Sequence, residues 1–552
     1  MLRKRPPRLA LLLAPLALSL LLAAGPTPAA PAPGDTSASA AQTSTATTAP
    51  PVSLALAAAR DSTAGSAPRA STTATRSRSP AGRSFASGVT DSARRAYRAW
   101  LRHLRARAIA DSSARADSSA RADSAARAAA ARAAAPAGGR APEVAGAPIS
   151  VSAVSGVPDY LGQIRANFGP LNRAYATTRA ALGFIEPLYG MLVALFLLFS
   201  GLSARLRDLA QRLGSGAYVQ TLVYFVLYVI ASFVLGFPLA LYGGFGLEHR
   251  YGLSTERFGG WFSQQLIALG VSVVFFGVVP LVRLAYAALE RFPRRWWVAL
   301  GLGTLPVILI GTLIEPVVIE PLFNRFTPLQ DQQLEAQILD VARRAGIPAR
   351  HVFQVDKSRQ TVKYNAYVNG FGPSQRIVLW DTTLKGMTPD EILFVVGHEA
   401  GHYRLGHIWT GIVLASLLSF VLFWLGSMLM RGAVRTWGAR WGFTELHDLA
   451  SLPLFVLTLS LLSFLVQPGV NAFSCEIERH SDTFGLEVTR LNDAAARAFI
   501  KLGSQNRSNP DPAPFVEFFL YDHPPLLERV RFALSYRPWE EGKPNRYYRP
   551  GS

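Results

Sequence analysis

Cysteine and charged residues are both scarce in this sequence. Cys475 is the only cysteine among 552 residues, which excludes an intramolecular disulfide framework and a cysteine-based structural zinc site. Charged residues make up 17% of the chain, whereas apolar residues make up 50% and include 31 Phe and 10 Trp. This composition is more apolar than that of ordinary soluble domains, so it predicts a protein that crosses the lipid bilayer several times.

The chain carries a net charge of +20, but much of the excess is local. Residues 1–148 contain 20 basic and seven acidic residues, which supply +13 of that total. Because this excess is confined to one end of the chain, it does not indicate nucleic-acid binding, and we expect no nucleic-acid partner.

Two segments at the N-terminal end are not expected to belong to the folded body. Residues 1–30 join a basic start to a short apolar run and a region of small residues, a layout typical of a secretory signal peptide. An uncleaved first transmembrane span is the alternative. Residues 31–148 are rich in Ala, Ser, Thr, Pro and Arg and hold few large apolar side chains, so we expect a disordered tether.

Six apolar stretches follow, each close to the ~20 residues that an α-helix needs to cross a bilayer. They lie at residues 184–203, 218–243, 264–287, 296–320, 409–430 and 452–472. We therefore predict a mainly α, polytopic helical membrane protein. Its expected parts are a four-span bundle at 160–320, a pair of spans at 409–472, and soluble segments at 321–408 and 473–552.

The soluble segment before the fifth apolar stretch contains a His-Glu-x-x-His motif at His398–His402. The preceding residues Thr388–Glu391 carry the signals of a helix start, with a capping box and a proline in the first turn. On a helix, His398 and His402 share a face, while Glu399 is rotated by about 100° and can act as a general base on a water molecule beside a metal. The motif predicts a catalytic site with one Zn²⁺ per chain.

Catalytic zinc takes three protein ligands, so one more is needed. His407 lies one residue away from the position at which an extended form of the motif would place a third histidine, so the ligand is expected elsewhere. A carboxylate-rich helix is predicted just after the sixth apolar stretch. Two pairs of side chains each share a face of this helix, namely Glu478 with Asp482 and Glu476 with His480, and spacing alone leaves both pairs open.

Five separated motifs occur in a fixed order along the chain. They are IEPLFNRFTPL at 319–329, NAYVNGFGPSQRIVLWDTTL at 365–384, HEAGHYRLGH at 398–407, EIERHSDTFG at 476–485 and HPPLLERV at 523–530. Together with the spans, they resemble the CAAX prenyl protease 1 family of integral-membrane zinc metallopeptidases over about residues 160–535. The resemblance implies a small α+β zincin-like catalytic domain built from the 321–408 and 473–535 segments.

The resemblance also implies roles for particular residues. It makes Glu478 the third zinc ligand, Asp482 a partner of a zinc-binding histidine, and Glu399 the catalytic base. It places His523 near the metal, where this side chain could stabilise an oxyanion, although capping of the following helix is an alternative.

For the substrate, the resemblance implies an edge strand. The segment from Phe353 to Asp381 is expected to form two short strands around a turn. In the resembled family, an extended peptide adds to the first strand, so Asn365, Ala366 and Tyr367 would bind it mainly through the backbone. Cys475 stands where members of that family usually have an arginine.

The expected function is zinc-dependent hydrolysis of peptide bonds in a peptide or protein substrate, either near a CAAX-like C-terminus or in membrane or exported proteins. An intramembrane site-2-type protease and a non-enzymatic membrane chamber or transporter with structural zinc are the alternatives. The composition is typical of a bacterial protein, so the inner membrane is the expected location. The resembled family presents its site to the cytoplasm, whereas a cleaved leader would place the site outside.

Overall fold

The computed structural model describes residues 159–370 and 375–550. The expected signal peptide or first span at 1–30 and the expected tether at 31–148 lie outside this part of the chain. Within it, a short first helix, α1 (Tyr160–Asn167), precedes the long apolar helices.

Six helices in the described part of the chain are long and apolar enough to cross a membrane, which confirms the predicted number of spans. They cover Pro170–Phe199, Ala217–Arg250, Phe258–Arg291, Trp296–Phe323, His407–Trp441 and Leu449–Thr489. Each is longer than the ~20 residues that cross the hydrocarbon, because the helices continue as polar turns on one or both sides of their apolar stretch.

The helical elements of this bundle are numbered in chain order. They are α2 (Pro170–Phe199), α3 (Leu202–Leu213), α4 (Ala217–Ala240, continued by a π-helical segment and a last turn to Arg250), α5 (Phe258–Ser272), α6 (Leu281–Arg291) and α7 (Trp296–Ile314, continued to Phe323). The third span is interrupted between α5 and α6. Pro280 accounts for this break, because it lacks the N–H that a continuing helix requires.

The first soluble segment folds into a small mixed sheet with helices beside it. The strands are β1 (Phe326–Pro328), β2 (Val352–Val355), β3 (Ala366–Asn369) and β4 (Arg376–Trp380), and the helices are α8 (Gln332–Arg344), α9 (Asp381–Gly386) and α10 (Pro389–Arg404). The strand order is β1-β2-β4-β3. The expectation of two strands between Phe353 and Asp381 is wrong, because β2 also lies there and pairs in parallel with β4.

The helix that carries the His-Glu-x-x-His motif begins where the sequence predicts. The Thr388 side chain accepts a bond from the Glu391 backbone, while the Thr388 N–H donates to Glu391 Oε2 at 2.8 Å, which completes the capping box. The helix ends at Arg404, before Gly406, which has a φ of 71°. The fifth span, α11, begins directly afterwards at His407.

The sixth span and the second catalytic segment form one continuous helix, α12 (Leu452–Thr489), which passes the predicted boundary at residue 472 without a break. Three shorter helices follow it. They are α13 (Asn492–Gln505), α14 (Pro514–Leu520) and α15 (Leu526–Ser535). Because α12 belongs to both regions, it connects the membrane bundle directly to the catalytic region.

Helices α10 and α12 approach so closely that glycine is required between them. A Cβ atom on Gly485 would lie 2.9 Å from the backbone nitrogen of His398, and one on Gly401 would lie 3.0 Å from the Cα of Ser481. Neither backbone neighbour can move without moving its helix, because both belong to continuous helices. This contact fixes the distance between the two helices.

We expect Gly485→Ala to lower the melting temperature of the detergent-solubilised protein. The added methyl group must push α12 away from α10, which costs about 1–3 kcal/mol. Gly469→Ala is the matched control, because Gly469 lies on the same helix and a Cβ there would meet nothing within 4 Å. Equal melting temperatures for the two variants would contradict the close contact.

Candidate metal centre and active site

Three side chains from α10 and α12 converge on one point. His398 Nε2 lies 3.2 Å from His402 Nε2 and 3.2 Å from Glu478 Oε2, while His402 Nε2 lies 3.2 Å from Glu478 Oε1. In the described part of the chain, these residues form the group of three possible ligands whose donor atoms lie within 4.8 Å of one another. The convergence follows from the four-residue spacing of the histidines and from the close packing of α12 against them.

The donor atoms have the spacing that a tetrahedral metal ion requires. Bonds of about 2.0–2.1 Å at tetrahedral angles separate neighbouring ligand atoms by about 3.3 Å. Glu478 is 5% exposed, and its Oε2 atom lies between His398 Nε2 at 3.2 Å and a guanidinium nitrogen of Arg529 at 3.6 Å. A buried carboxylate is costly unless it is paired or coordinates a metal, so the residues present fit a bound cation.

The carboxylates of Glu478 and Asp482 make the site favourable for positive charge. Burial disfavours the charged form of His398, but the charge of Glu478 and the hydrogen bond that His398 donates to Asp482 outweigh this effect and raise the pKa of His398 to about 10. A metal ion would take the place of that proton, because it binds the neutral imidazole.

Glu476 and His480, the other candidate pair, lie outside this group. His480 Nε2 lies 3.1 Å from Glu476 Oε1, at the surface, where the Glu476 side chain is 55% exposed. The ring of His407 packs 5.2 Å from that of His402, but its Nδ1 atom lies 3.3 Å from the hydroxyl of Ser481 and outside the group of converging donor atoms. The geometry therefore favours Glu478 over Glu476 as the carboxylate beside the two histidines.

Asp482 lies behind His398, away from the converging donor atoms. Its Oδ1 atom is 2.8 Å from His398 Nδ1, and the guanidinium of Arg529 donates to both carboxylate oxygens at 2.8 and 2.6 Å. Arg529 is itself buried, and it packs 4.3 Å from the centre of the Phe499 ring. This two-pronged bond holds Asp482 ionised and fixed in orientation.

Sequence reasoning identified Asp482 but missed Arg529. The residue lies inside the HPPLLERV motif, between Leu527 and Val530, which are both buried. An arginine on the buried face of an amphipathic helix was the available signal, because a buried charge needs a partner.

His523 also contacts the carboxylate of Glu478. Its Nε2 atom lies 3.3 Å from Glu478 Oε1, and its Nδ1 atom lies 2.8 Å from Oδ1 of Asp522, which sequence reasoning did not identify. Burial opposes the charged imidazole, but Asp522 and Glu478 raise the pKa of His523 above its ordinary value. The side chain is half-exposed, so it borders the pocket at its open side.

Glu399 lies on α10 beside the converging side chains. Burial raises the pKa of its carboxyl, while His398 and His402 act in the opposite direction. A raised pKa favours proton transfer near neutral pH, which is the requirement for a general base.

Strand β3 lies at an edge of the sheet, next to β4. Asn365 precedes the strand, and its carbonyl accepts from the Trp380 N–H at 3.0 Å. Because alternate residues bond to the neighbour in an antiparallel pair, the main chains of Ala366 and Val368 point to the free edge, while that of Tyr367 points to β4. The free edge is thus offered by Ala366 and Val368 rather than by all three predicted residues.

The side chains around β3 are held by the protein itself. Asn365 Oδ1 accepts from the Ala366 N–H at 2.9 Å, which covers one donor of the free edge. The Tyr367 hydroxyl bonds to Glu320, and Arg376 donates to the same carboxylate at 2.5 Å. These contacts attach β3 and β4 to the end of the fourth span.

Known proteins show the same two regions. Residues 328–537 match the sequence profile of Peptidase family M48, and residues 165–325 match that of the CAAX prenyl protease N-terminal region, described as having five membrane helices. The structure has four candidate spans within 165–325.

Individual relatives support the same assignment. The uncharacterized metalloprotease YhfN of Bacillus subtilis (strain 168) is 36% identical over 360 residues, which cover 65% of this chain and 84% of that protein. The CAAX prenyl protease 1 homolog of Homo sapiens is 27% identical over 68% of this chain and 88% of its own length. The crystal structure of S. mikatae Ste24p superimposes with a TM-score of 0.60 at 26% identity, covering 69% of this chain and 93% of that one.

These matches confirm the predicted resemblance to the CAAX prenyl protease 1 family and the predicted polytopic helical fold. They also confirm the predicted function, which is metal-dependent hydrolysis of peptide bonds. They decide against the site-2-type protease and the non-enzymatic chamber, because they cover both the membrane bundle and the catalytic segments. The chain belongs to peptidase family M48 and is a multi-pass membrane metalloendopeptidase that acts on peptide or protein substrates.

Proposed function

We propose that His398, His402 and Glu478 hold one Zn²⁺ and that the protein is a zinc endopeptidase. The observation that carries this proposal is the 3.2 Å spacing of their donor atoms around the buried carboxylate of Glu478. Two imidazoles and one carboxylate form a donor set that catalytic zinc uses, with a further position left for water or substrate.

When bound, the zinc ion supplies a Lewis acid that activates water and polarises the scissile carbonyl. Glu399 takes a proton from the attacking water and returns one to the leaving amine nitrogen, so that one water is consumed for each peptide bond broken. His523, with its raised pKa, donates a hydrogen bond towards the carbonyl oxygen as negative charge develops there.

Asp482 and Arg529 act on the histidine rather than on the substrate. Asp482 accepts the Nδ1–H of His398, which leaves the Nε2 lone pair directed at the metal. Arg529 keeps the Asp482 carboxylate in place through its two hydrogen bonds.

An extended substrate adds to the free edge of β3 through main-chain hydrogen bonds with Ala366 and Val368. The side-chain oxygen of Asn365 accepts a hydrogen bond from the Ala366 N–H. It must release this N–H before the substrate can bind to it. Tyr367 contributes indirectly, because its bond to Glu320 fixes the strand.

The substrates follow from the relatives and the membrane location. Relatives named CAAX prenyl protease 1 support cleavage near a CAAX-like C-terminus. The bacterial relative, which has the higher identity, supports a location in a bacterial inner membrane, where membrane and exported proteins are available as substrates.

Glu399→Gln is expected to reduce peptidase activity about 10²–10⁴-fold, because the amide cannot accept the proton. Zinc content should stay at one ion per chain, since Glu399 is not a ligand. Hydrolysis of a quenched fluorescent peptide and elemental analysis of the same sample measure both effects. Glu476→Gln is the control on the neighbouring surface, and an active Glu399→Gln protein would show that the base lies elsewhere.

His398→Ala is expected to abolish both zinc retention and activity, because two ligands remain where three are needed. Elemental analysis after dialysis against a weak chelator measures the retention. His480→Ala, which removes a surface histidine from α12, should keep the wild-type zinc content. An unchanged content in His398→Ala would remove this histidine from the ligand set.

Arg529→Leu is expected to destabilise the protein by about 3–5 kcal/mol, because it leaves Asp482 buried without its cation. Asp482 is 2% exposed. Arg479→Leu is the matched control, since Arg479 forms a partly exposed pair with Glu528, and such a pair contributes at most about 1 kcal/mol. Thermal unfolding compares the two, and similar losses would contradict the buried role.

A further inference from the structure

The segment at 519–523 runs along α12 towards the candidate metal centre. The Phe519 carbonyl accepts a hydrogen bond from the side chain of Asn471 at 2.7 Å, and the Tyr521 carbonyl accepts one from Cys475 Sγ at 3.5 Å. Positions 471 and 475 are one turn apart on α12, and the next turn carries the candidate carboxylate ligand. The segment is therefore attached to successive turns of this helix as it approaches the site.

Two prolines restrict the backbone on the other side of His523. Pro524 and Pro525 follow it directly, and both are buried. A residue before proline is confined to extended conformations, and the proline ring fixes its own φ angle. The Pro525 carbonyl also accepts from the Arg529 N–H at 3.1 Å in the first turn of α15. The backbone is thus held on both sides of His523, and the orientation of its ring is what remains to be set.

The two ring nitrogens of His523 each face a carboxylate. The Nδ1 atom lies 2.8 Å from Oδ1 of Asp522, and the Nε2 atom lies 3.3 Å from Oε1 of Glu478. An ionised carboxylate only accepts hydrogen bonds, so both nitrogens act as donors in this arrangement. The nitrogen on the side of the candidate metal centre is therefore Nε2, while Nδ1 is occupied by Asp522.

A histidine ring has two orientations that differ by a half-turn about the Cβ–Cγ bond. The half-turn puts Cε1 in the place of Nε2 and Cδ2 in the place of Nδ1. In that orientation, the carboxylate of Asp522 would face a carbon atom and lose its hydrogen bond. A carbon atom would also face the site, where it cannot replace an N–H donor. The bond to Asp522 therefore favours the orientation of His523 in which Nε2 faces Glu478.

We propose that Asp522 is a positioning residue, which holds the imidazole of His523 so that Nε2 is directed at the carbonyl oxygen of the scissile bond. This inference rests on the proposed function, in which His523 donates a hydrogen bond to that oxygen as negative charge develops. Asp522 itself does not bind the substrate. It acts through the ring, because the partner of one imidazole nitrogen decides what the other nitrogen presents.

The exposure of this pair separates its effect on the reaction from its effect on folding. The side chains of Asp522 and His523 are 61% and 48% exposed. Exposed ion pairs add little to the stability of a fold. In contrast, an interaction that is made only in the transition state changes kcat and leaves KM unaltered when it is lost. The positioning role is therefore measured by kcat rather than by unfolding.

Asp522→Ala is expected to lower kcat about tenfold and to leave KM within about twofold of the wild-type value, because the ring then also adopts the other orientation. The purified full-length protein and a quenched fluorescent peptide serve for this measurement. Zinc content and melting temperature should stay unchanged. Asp511→Ala, at another exposed acidic residue after α13, is the matched control and should keep the wild-type kcat.

Asp522→Asn is the conservative variant. Its side-chain oxygen can still accept the Nδ1–H of His523, so it should keep most of the kcat that Asp522→Ala loses. An unchanged kcat in Asp522→Ala, or an equal loss in the Asn and Ala variants, would overturn the orienting role of this hydrogen bond.

A double-mutant cycle shows whether Asp522 acts through His523. His523→Gln alone is expected to lower kcat, and the addition of Asp522→Ala should then cause no further loss. A further tenfold loss in the double variant would overturn the inference, because Asp522 would then act independently of the ring. A wild-type kcat in His523→Gln would also overturn it, while the zinc peptidase itself would stand.

Failure of the proposed function gives a different result. If a chelator leaves hydrolysis by the wild-type protein unchanged and Glu399→Gln is equally active, the proposed function fails and the inference fails with it. If hydrolysis requires zinc and Glu399 but Asp522→Ala has the wild-type kcat, the inference alone fails.

Discussion

The contact between α10 and α12 is the constraint on which the rest of the structure depends. Glycines at Gly401 and Gly485 bring two helix backbones together without intervening side chains. At this distance, the carboxylate of Glu478 reaches the two imidazoles of the motif. Larger residues at the contact would force the helices apart, because a Cβ there would lie 2.9–3.0 Å from backbone atoms of the other helix, and this would move Glu478 away from the two histidines.

Around this contact, buried charged side chains form a series of hydrogen bonds, in which each side chain orients the next. Glu478 faces the histidines, Asp482 orients His398, and Arg529 neutralises Asp482 from the far side. The outermost member, Arg529, packs on the ring of Phe499 in the core of the C-terminal helices. The site therefore gains its rigidity from a hydrophobic core that contributes no ligand, because a buried charge network is stable only if all of its members are satisfied.

Much of this arrangement could be predicted from the sequence, and the reasons are specific. His398, Glu399 and His402 are close in sequence and act through helical spacing, which sequence shows directly. Glu478 was selected through family resemblance, because helical spacing fits Glu476 equally well. Arg529 was missed, since its importance depends on burial and on Asp482, 47 residues away. Asp522 was missed because its role depends on the position of its neighbour His523 beside Glu478. The break at Pro280 was also missed, because hydropathy averages across it.

Because α12 is a single helix of 38 residues, it also links the site to the bilayer mechanically. At about 1.5 Å per residue, it is about 57 Å long, nearly twice the ~30 Å of the hydrocarbon layer. Its C-terminal part, which carries Glu478, therefore extends well beyond the hydrocarbon layer, where the glycine contact holds it against α10. The helix that carries Glu478 is thus the same helix that crosses the bilayer, so one backbone carries both the lipid-facing surface and a side chain of the candidate site.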